Sequence, residues 1–183
     1  MSGFDQVSQI ILPLSHWLKI AEHCRRKLDR NYLPGESKGP KACGLLVGSP
    51  EEDPLVVTNI FPLKKNVRNQ EPYKTYMDSM MEQHAFPSKT PLSKRGWITD
   101  PEEMKHVHDT IDQNGFVVFG SYHMHVVPWQ DDPVRDTPTV LDNVLAQGSN
   151  LFSFIVSLVD PAEPRIRAFY EGAIEKEVEI LIE

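Results

Sequence analysis

Long apolar runs are missing from this 183-residue chain, and nowhere does it offer the roughly 18 consecutive nonpolar residues of a membrane-spanning helix. Cysteine is scarce. Cys24 and Cys43 form no Cys-x-x-Cys pair, which excludes a disulfide framework or a thiolate zinc site and predicts two buried thiols. Positive charge is short as well: 19 Lys and Arg face 26 Asp and Glu for a net charge of −7. That balance argues against gripping nucleic-acid phosphates or an anionic membrane. The N-terminus, MSGFDQVSQIIL, has an acid where a secretory leader carries basic residues, so a cytoplasmic protein is expected. Internal repeats and low-complexity tails are absent too. What remains, 40% hydrophobic and 25% charged residues, is the composition of a soluble globular protein, and the length fits one domain over residues 1–183.

Periodicity supplies the elements. VSQIIL reads as a strand closed by Pro13. Leu14, Trp17, Leu18, Ala21 and Leu28 then recur at helical spacing, with Glu22 and Arg26 placed for an i,i+4 pair on the other face. NYLPGESKGP must be loop. ACGLLVG and LVVTNIF, separated by the acidic turn SPEEDP, read as neighbouring antiparallel strands. Between about residues 64 and 98 the periodicity lapses. From Lys64 to Arg95 seven basic residues stand against Glu71, Asp78 and Glu82, which suggests an inserted loop with one helical turn around YMDSMMEQ, suited to an acidic or extended partner. ITDPEEMKHVHDTIDQNG is a capped helix stopped by Gly115, whose His108 is expected to pack rather than bind metal. FVVFGSYHMH, FSFIVSLVD, RIRAFYEG and IEKEVEIL are strands, and VLDNVLAQG is a helix. The order predicts an α/β fold in which one mixed β-sheet is flanked by helices.

Chemistry concentrates at the end of the FVVFGSYHMH strand. Side chains two apart in a strand share a face, so His123 and His125 project together and can bite one cation. A catalytic zinc takes three protein ligands and leaves a fourth position open. Asp136, at the entry to the next helix, is the candidate third ligand, with Asp131 and Asp132 as rivals. Tyr122, Trp129 and Arg135 flank the pair as candidates to line a substrate cleft.

The stretch HMHVVPWQDDPVRD, residues 123–136, resembles the JAMM/MPN metalloprotease motif: His-x-His, seven residues, Ser, two residues, Asp. The resemblance spans nearly the whole chain, through the N-terminal strand and helix, CGLLVG, Asn66, the capped helix, GSYHMH, and the IVS and AFY strands. It disfavours a cupin, since no glutamate follows His125 at the short spacing a cupin needs. The resemblance implies a cytidine-deaminase-like architecture and a Zn2+ at His123, His125 and Asp136. It also implies hydrolysis of a peptide or isopeptide bond at a peptide or ubiquitin-like tail. Two positions depart from the pattern. Lys41 stands three residues before Gly44, where the family has its general-base glutamate, and Pro133 stands at the oxyanion-holding serine. Glu36, five residues upstream of Lys41, is the candidate substitute base. Losing both groups removes contributions of about 10² to 10⁴ and 10² to 10³ in rate. Two functions therefore stand: a zinc peptidase or isopeptidase with a non-standard base, and a catalytically silent MPN-type interaction module.

Overall fold

A computed structural model describes residues 4–49 and 54–183. The acidic turn expected between ACGLLVG and LVVTNIF falls mostly on residues 50–53, outside the described residues. Among the described residues eight strands are present: β1 (Gln9–Leu12), β2 (Cys43–Gly48), β3 (Leu55–Val56), β4 (Asn59–Pro62), β5 (Val117–His125), β6 (Phe152–Ser157), β7 (Arg165–Tyr170) and β8 (Glu177–Ile182). With them come four α-helices, α1 (Leu14–Leu28), α2 (Tyr73–His84), α3 (Pro101–Gln113) and α4 (Val140–Ala146). The strand order is β3-β1-β8-β7-β6-β5-β2-β4, with β1 parallel to β3 and β8, β5 parallel to β6, and the remaining pairs antiparallel. The sheet is mixed, as the element order predicts.

The run LVVTNIF departs from the expectation of a single strand beside ACGLLVG. Its first residues pair in parallel with β1, and Val57 N–H donates to Ile11 O at 2.9 Å. Thr58 N–H then donates to Val47 O at 2.9 Å, and the remainder pairs antiparallel with β2. One short segment thus joins the two ends of the strand order, and the sheet curls back on itself. Hydrogen bonding to edges decides this, and an apolar run carries no mark of which edge it will meet.

The two sheet faces bury separate cores. Leu46, Phe119, Tyr122, Phe154 and Val156 pack with Ile20 and Cys24 of α1, whereas Leu45, Val47 and Leu63 pack with Ile111 of α3. Alternation along β5 therefore sends Tyr122 and Met124 into the α1 side and leaves His123 and His125 on the other. Arg26, expected to pair with Glu22, instead makes two bonds of 2.7 Å to Glu36 across the loop.

The insert is more ordered than a solvated connector. Residues 73–84 form three turns of helix, not one. Arg68, 1% exposed, anchors it by donating to Arg95 O and Asn69 Oδ1, both at 2.8 Å, and by pairing with Asp78. Asn66 pairs with Thr99 across the base of the insert. Glu103 of α3 accepts from the N–H groups of Lys64 and Lys65 at 2.8 Å each. A buried guanidinium with this many partners is costly to strand, so the insert holds its shape through Arg68.

Candidate metal centre

His123 and His125 close β5, and their Nε2 atoms lie 3.1 Å apart. The third member of the group is Asp142, whose Oδ1 lies 3.3 Å from His123 Nε2 and whose Oδ2 lies 3.5 Å from His125 Nε2. Ligand bonds of about 2.0–2.1 Å in a tetrahedron put neighbouring donor atoms roughly 3.3–3.4 Å apart. Two imidazoles and a carboxylate at those spacings form a group that could hold a zinc ion. His125 Nδ1, buried, faces no acceptor among the described residues.

Asp136 does not join this group. Its carboxylate accepts from Arg167 at 2.9 Å and lies 4.0 Å from Arg165, both on β7. The other two candidates are also engaged elsewhere. Asp132 caps its own turn, accepting from Arg135 N–H at 2.8 Å and from Thr137, and Asp131 is exposed.

Asp142 is placed by α4. Thr139, the N-cap, accepts from Asp142 N–H at 3.2 Å, while Thr139 N–H and Oγ1–H each donate to Asp142 Oδ2 at 2.7 Å. This capping box aims the carboxylate at the histidines, as hydrogen-bonded supports commonly do for metal ligands. Burial pushes the Asp142 carboxyl up, but the two imidazoles and their hydrogen bonds outweigh it and hold the pKa well below the carboxylate range. Burial also lowers His125, against the opposing pull of Asp142. Both shifts favour the unprotonated donors that a metal needs.

Thr139 and Asp142 stand three residues apart, the same relation as serine and aspartate in the motif the sequence resembles. Thirteen residues separate His125 from Thr139, where that motif has seven. A hydroxyl thus occupies the place assigned to Pro133, which instead lies exposed in the intervening loop. The signal was available: Thr-Val-Leu-Asp before a helix is a capping-box pattern.

The remaining candidates are dispersed. Tyr122, fully buried on the opposite face, bonds His23 Nδ1 at 2.7 Å. Glu36 is locked to Arg26, with Lys27 3.9 Å away, and these cations hold its pKa down to about 2. Its carboxylate belongs to that ion pair and faces no metal ligand. Trp129 stacks on Phe86 of the insert, ring centroids 4.6 Å apart. Lys41 enters β2 beside the site, because Cys43 pairs with His123 and Met124 N–H reaches Ala42 O at 3.2 Å. Its Nζ donates to Gly96 O at 3.0 Å, and burial, then Arg68, lower its pKa to about 8. Gly96 has φ +76°, and a Cβ there would meet Met81 Cε at 2.5 Å, so only glycine presents that carbonyl. An open groove of about 590 Å³ lies on the same sheet face, lined by Cys43, the β2 partner of His123, and by Leu45, Ser121, Trp97, Met104 and Phe116. His108 sits exposed at its rim.

Residues 5–131 match the family model described as JAB1/Mov34/MPN/PAD-1 ubiquitin protease. The chain belongs to the JAB/MPN family. The matched region ends before Thr139 and Asp142, inside the connection between His125 and Thr139 that is longer than in the motif. The solution structure of protein DSY2949 from Desulfitobacterium hafniense shares the fold, with a TM-score of 0.61 over 95% of this chain and 92% of its own at 22% identity. No curated protein sequence matches this JAB/MPN chain. Among the described residues, no helix is long and apolar enough to cross a membrane.

Proposed function

We propose that this protein is a zinc-dependent hydrolase of the JAB/MPN type, acting on the peptide or isopeptide bond of a peptide or ubiquitin-like tail. The convergence of His123, His125 and Asp142 at 3.1–3.5 Å carries the reading. Zinc held there would supply Lewis acidity and a water acidified toward neutral pH. Asp142 is fixed by Thr139, His125 is kept neutral by burial, and the groove beside Ser121 and Cys43 has the apolar walls to receive an extended tail. The acidic balance of the chain supports a peptide partner over nucleic acid, and the basic insert beside the site suits an acidic one.

Lys41 favours a second reading, a tail-binding module without turnover. Its ammonium is committed to Gly96 O, Glu36 is committed to Arg26, and Asp142 is itself a ligand, so none of the three stands ready as general base. A missing base costs about 10² to 10⁴ in rate. Zinc stoichiometry of the purified chain and cleavage of ubiquitin-like fusions, run beside His123→Ala and Lys41→Glu, separate the readings. Slow cleavage that His123→Ala abolishes and Lys41→Glu accelerates supports the hydrolase. Cleavage only in Lys41→Glu makes the natural protein a binding module. A chain that takes up no zinc loses both the metal site and the hydrolase reading.

A further inference from the structure

Apart from Arg135, every buried or half-buried arginine among the described residues donates its guanidinium to an acceptor, Arg25 and Arg95 to the carbonyl oxygens of Pro161 and Phe86. Arg26 grips Glu36, Arg68 has Asp78 and three other acceptors, and Arg167 bridges Asp136 and Glu177. Arg135 breaks the pattern. It is half-buried, yet its guanidinium makes no hydrogen bond or ion pair with any described residue, although its backbone N–H is held by Asp132 at 2.8 Å. Its backbone lies in the left-handed region at φ +56°, a conformation that costs a non-glycine residue about 1–2 kcal/mol. That twist separates two consecutive charges. Asp136 turns to the arginines of β7, whereas the Arg135 segment is held at the end of β5 and β6, where Ser157, the register partner of His125, donates to Val134 O; the carboxylates of Asp142 and Asp132 are the charges that act on its guanidinium. A partly dehydrated guanidinium beside the His123, His125 and Asp142 group, with two carboxylates acting on it through space but none of the described residues hydrogen-bonded to it, has its planar fork open to an anion. Lys41 cannot share that role while it donates to Gly96 O.

We infer that Arg135 is the carboxylate receptor of this site, its guanidinium taking the carboxylate of a peptide tail whose adjoining amide lies at His123, His125 and Asp142. The inference rests on the metal-site reading above and narrows the substrate to tails that bring a carboxylate to the ligands. A free C-terminus and an acidic side chain offer the same planar pair of oxygens. The guanidinium fork matches either in a bidentate manner that lysine does not reproduce.

The test is calorimetric titration of the zinc-loaded full chain with three probes: N-acetyl-Ala-Gly-Gly with a free carboxylate, its carboxamide, and N-acetyl-Ala-Asp-Gly-amide. The same titrations are run on Arg135→Gln and Arg135→Lys. Charge-assisted pairing predicts that the natural chain binds a carboxylate probe about 10- to 100-fold more tightly than the carboxamide. Arg135→Gln should abolish that preference and Arg135→Lys retain part of it, both with unchanged zinc content. Preference for the first probe assigns a free C-terminus, and preference for the third assigns an acidic side chain. Equal binding of all three by the natural chain overturns the inference, as does a preference that survives intact in Arg135→Gln, because the metal alone would then be reading the anion. Zinc titration is scored separately. If the natural chain holds no zinc, the metal-site reading fails, and the same comparison on the metal-free chain still decides Arg135. Should Arg135→Gln fold poorly, Arg135→Lys, which keeps the charge and loses the fork, decides in its place.

Discussion

Exchange of carboxylates for amides at residues 136 and 142 separates two assignments of the third zinc ligand. Structural zinc in small peptides contributes about 10–16 kcal/mol over four ligands, or roughly 2.5–4 kcal/mol each. Asp142→Asn keeps the shape of the side chain but removes the anionic donor 3.3 and 3.5 Å from the two histidines, so zinc affinity should fall about 10²- to 10³-fold. Its capping role largely survives, since an amide oxygen still accepts from Thr139, and the stability loss should stay near 1 kcal/mol. Asp136→Asn has the opposite signature. Arg167 loses its 2.9 Å carboxylate partner but keeps two contacts of 2.7 Å to Glu177, so stability should drop by about 2 kcal/mol while zinc affinity changes less than about threefold. Competition against a chromophoric chelator at pH 7.5 reads the affinity, and urea unfolding reads the stability. Loss of zinc in Asp136→Asn with retention in Asp142→Asn would refute the assignment.

Other perturbations probe the frame around the site. Glu36→Gln removes the anion that faces both Arg26 and the buried Lys27, leaving Lys27 only its bond to Ser37 O, and should cost about 3 kcal/mol in urea unfolding. Unchanged stability combined with lost cleavage would instead make Glu36 the base. His23 has its pKa lowered to about 4 from 6.5, by burial first. The unfolded chain therefore binds the extra proton between those values, and stability should fall by about 3 kcal/mol as pH drops from 6.5 to 4. A comparison of His23→Gln with the natural chain over that range checks it, a pH slope unchanged by the variant counting against the buried histidine. Arg68→Ala should release the insert, with hydrogen exchange over residues 66–98 rising while β5 and β6 stay protected. Protection unchanged in the insert would show that Arg68 is not its anchor.

Local pattern carried most of the elements. Alternation marked β5 and the shared face of His123 and His125, and Thr99 or Asp100 before Pro101 marked the start of α3, where the structure makes Asp100 the cap, its Oδ1 accepting from Glu103 N–H at 2.9 Å. Those signals depend on neighbours in the chain, so the sequence displays them. Tyr122 was legible by the same alternation, since a residue next to His123 faces away from it. The insert was harder. Its helix carries only Met77 and Met81 as buried residues, too few to show a period, and its order comes from Arg68, whose partners lie up to 27 residues away.

The chain alone pointed to the paired imidazoles, the family and the mixed sheet, because each is written in spacing of a few residues. Tertiary structure decided which carboxylate completes the group. Asp136 sits at the spacing the motif leads one to expect, but two β7 arginines lie closer to it than the histidines do. Asp142 arrives instead, carried by a helix whose start is displaced by a longer loop. The same folding settled Lys41 on Gly96 O and left the Arg135 guanidinium with no hydrogen bond among the described residues. Partners drawn from distant segments form by packing, and packing is not recorded in the order of residues.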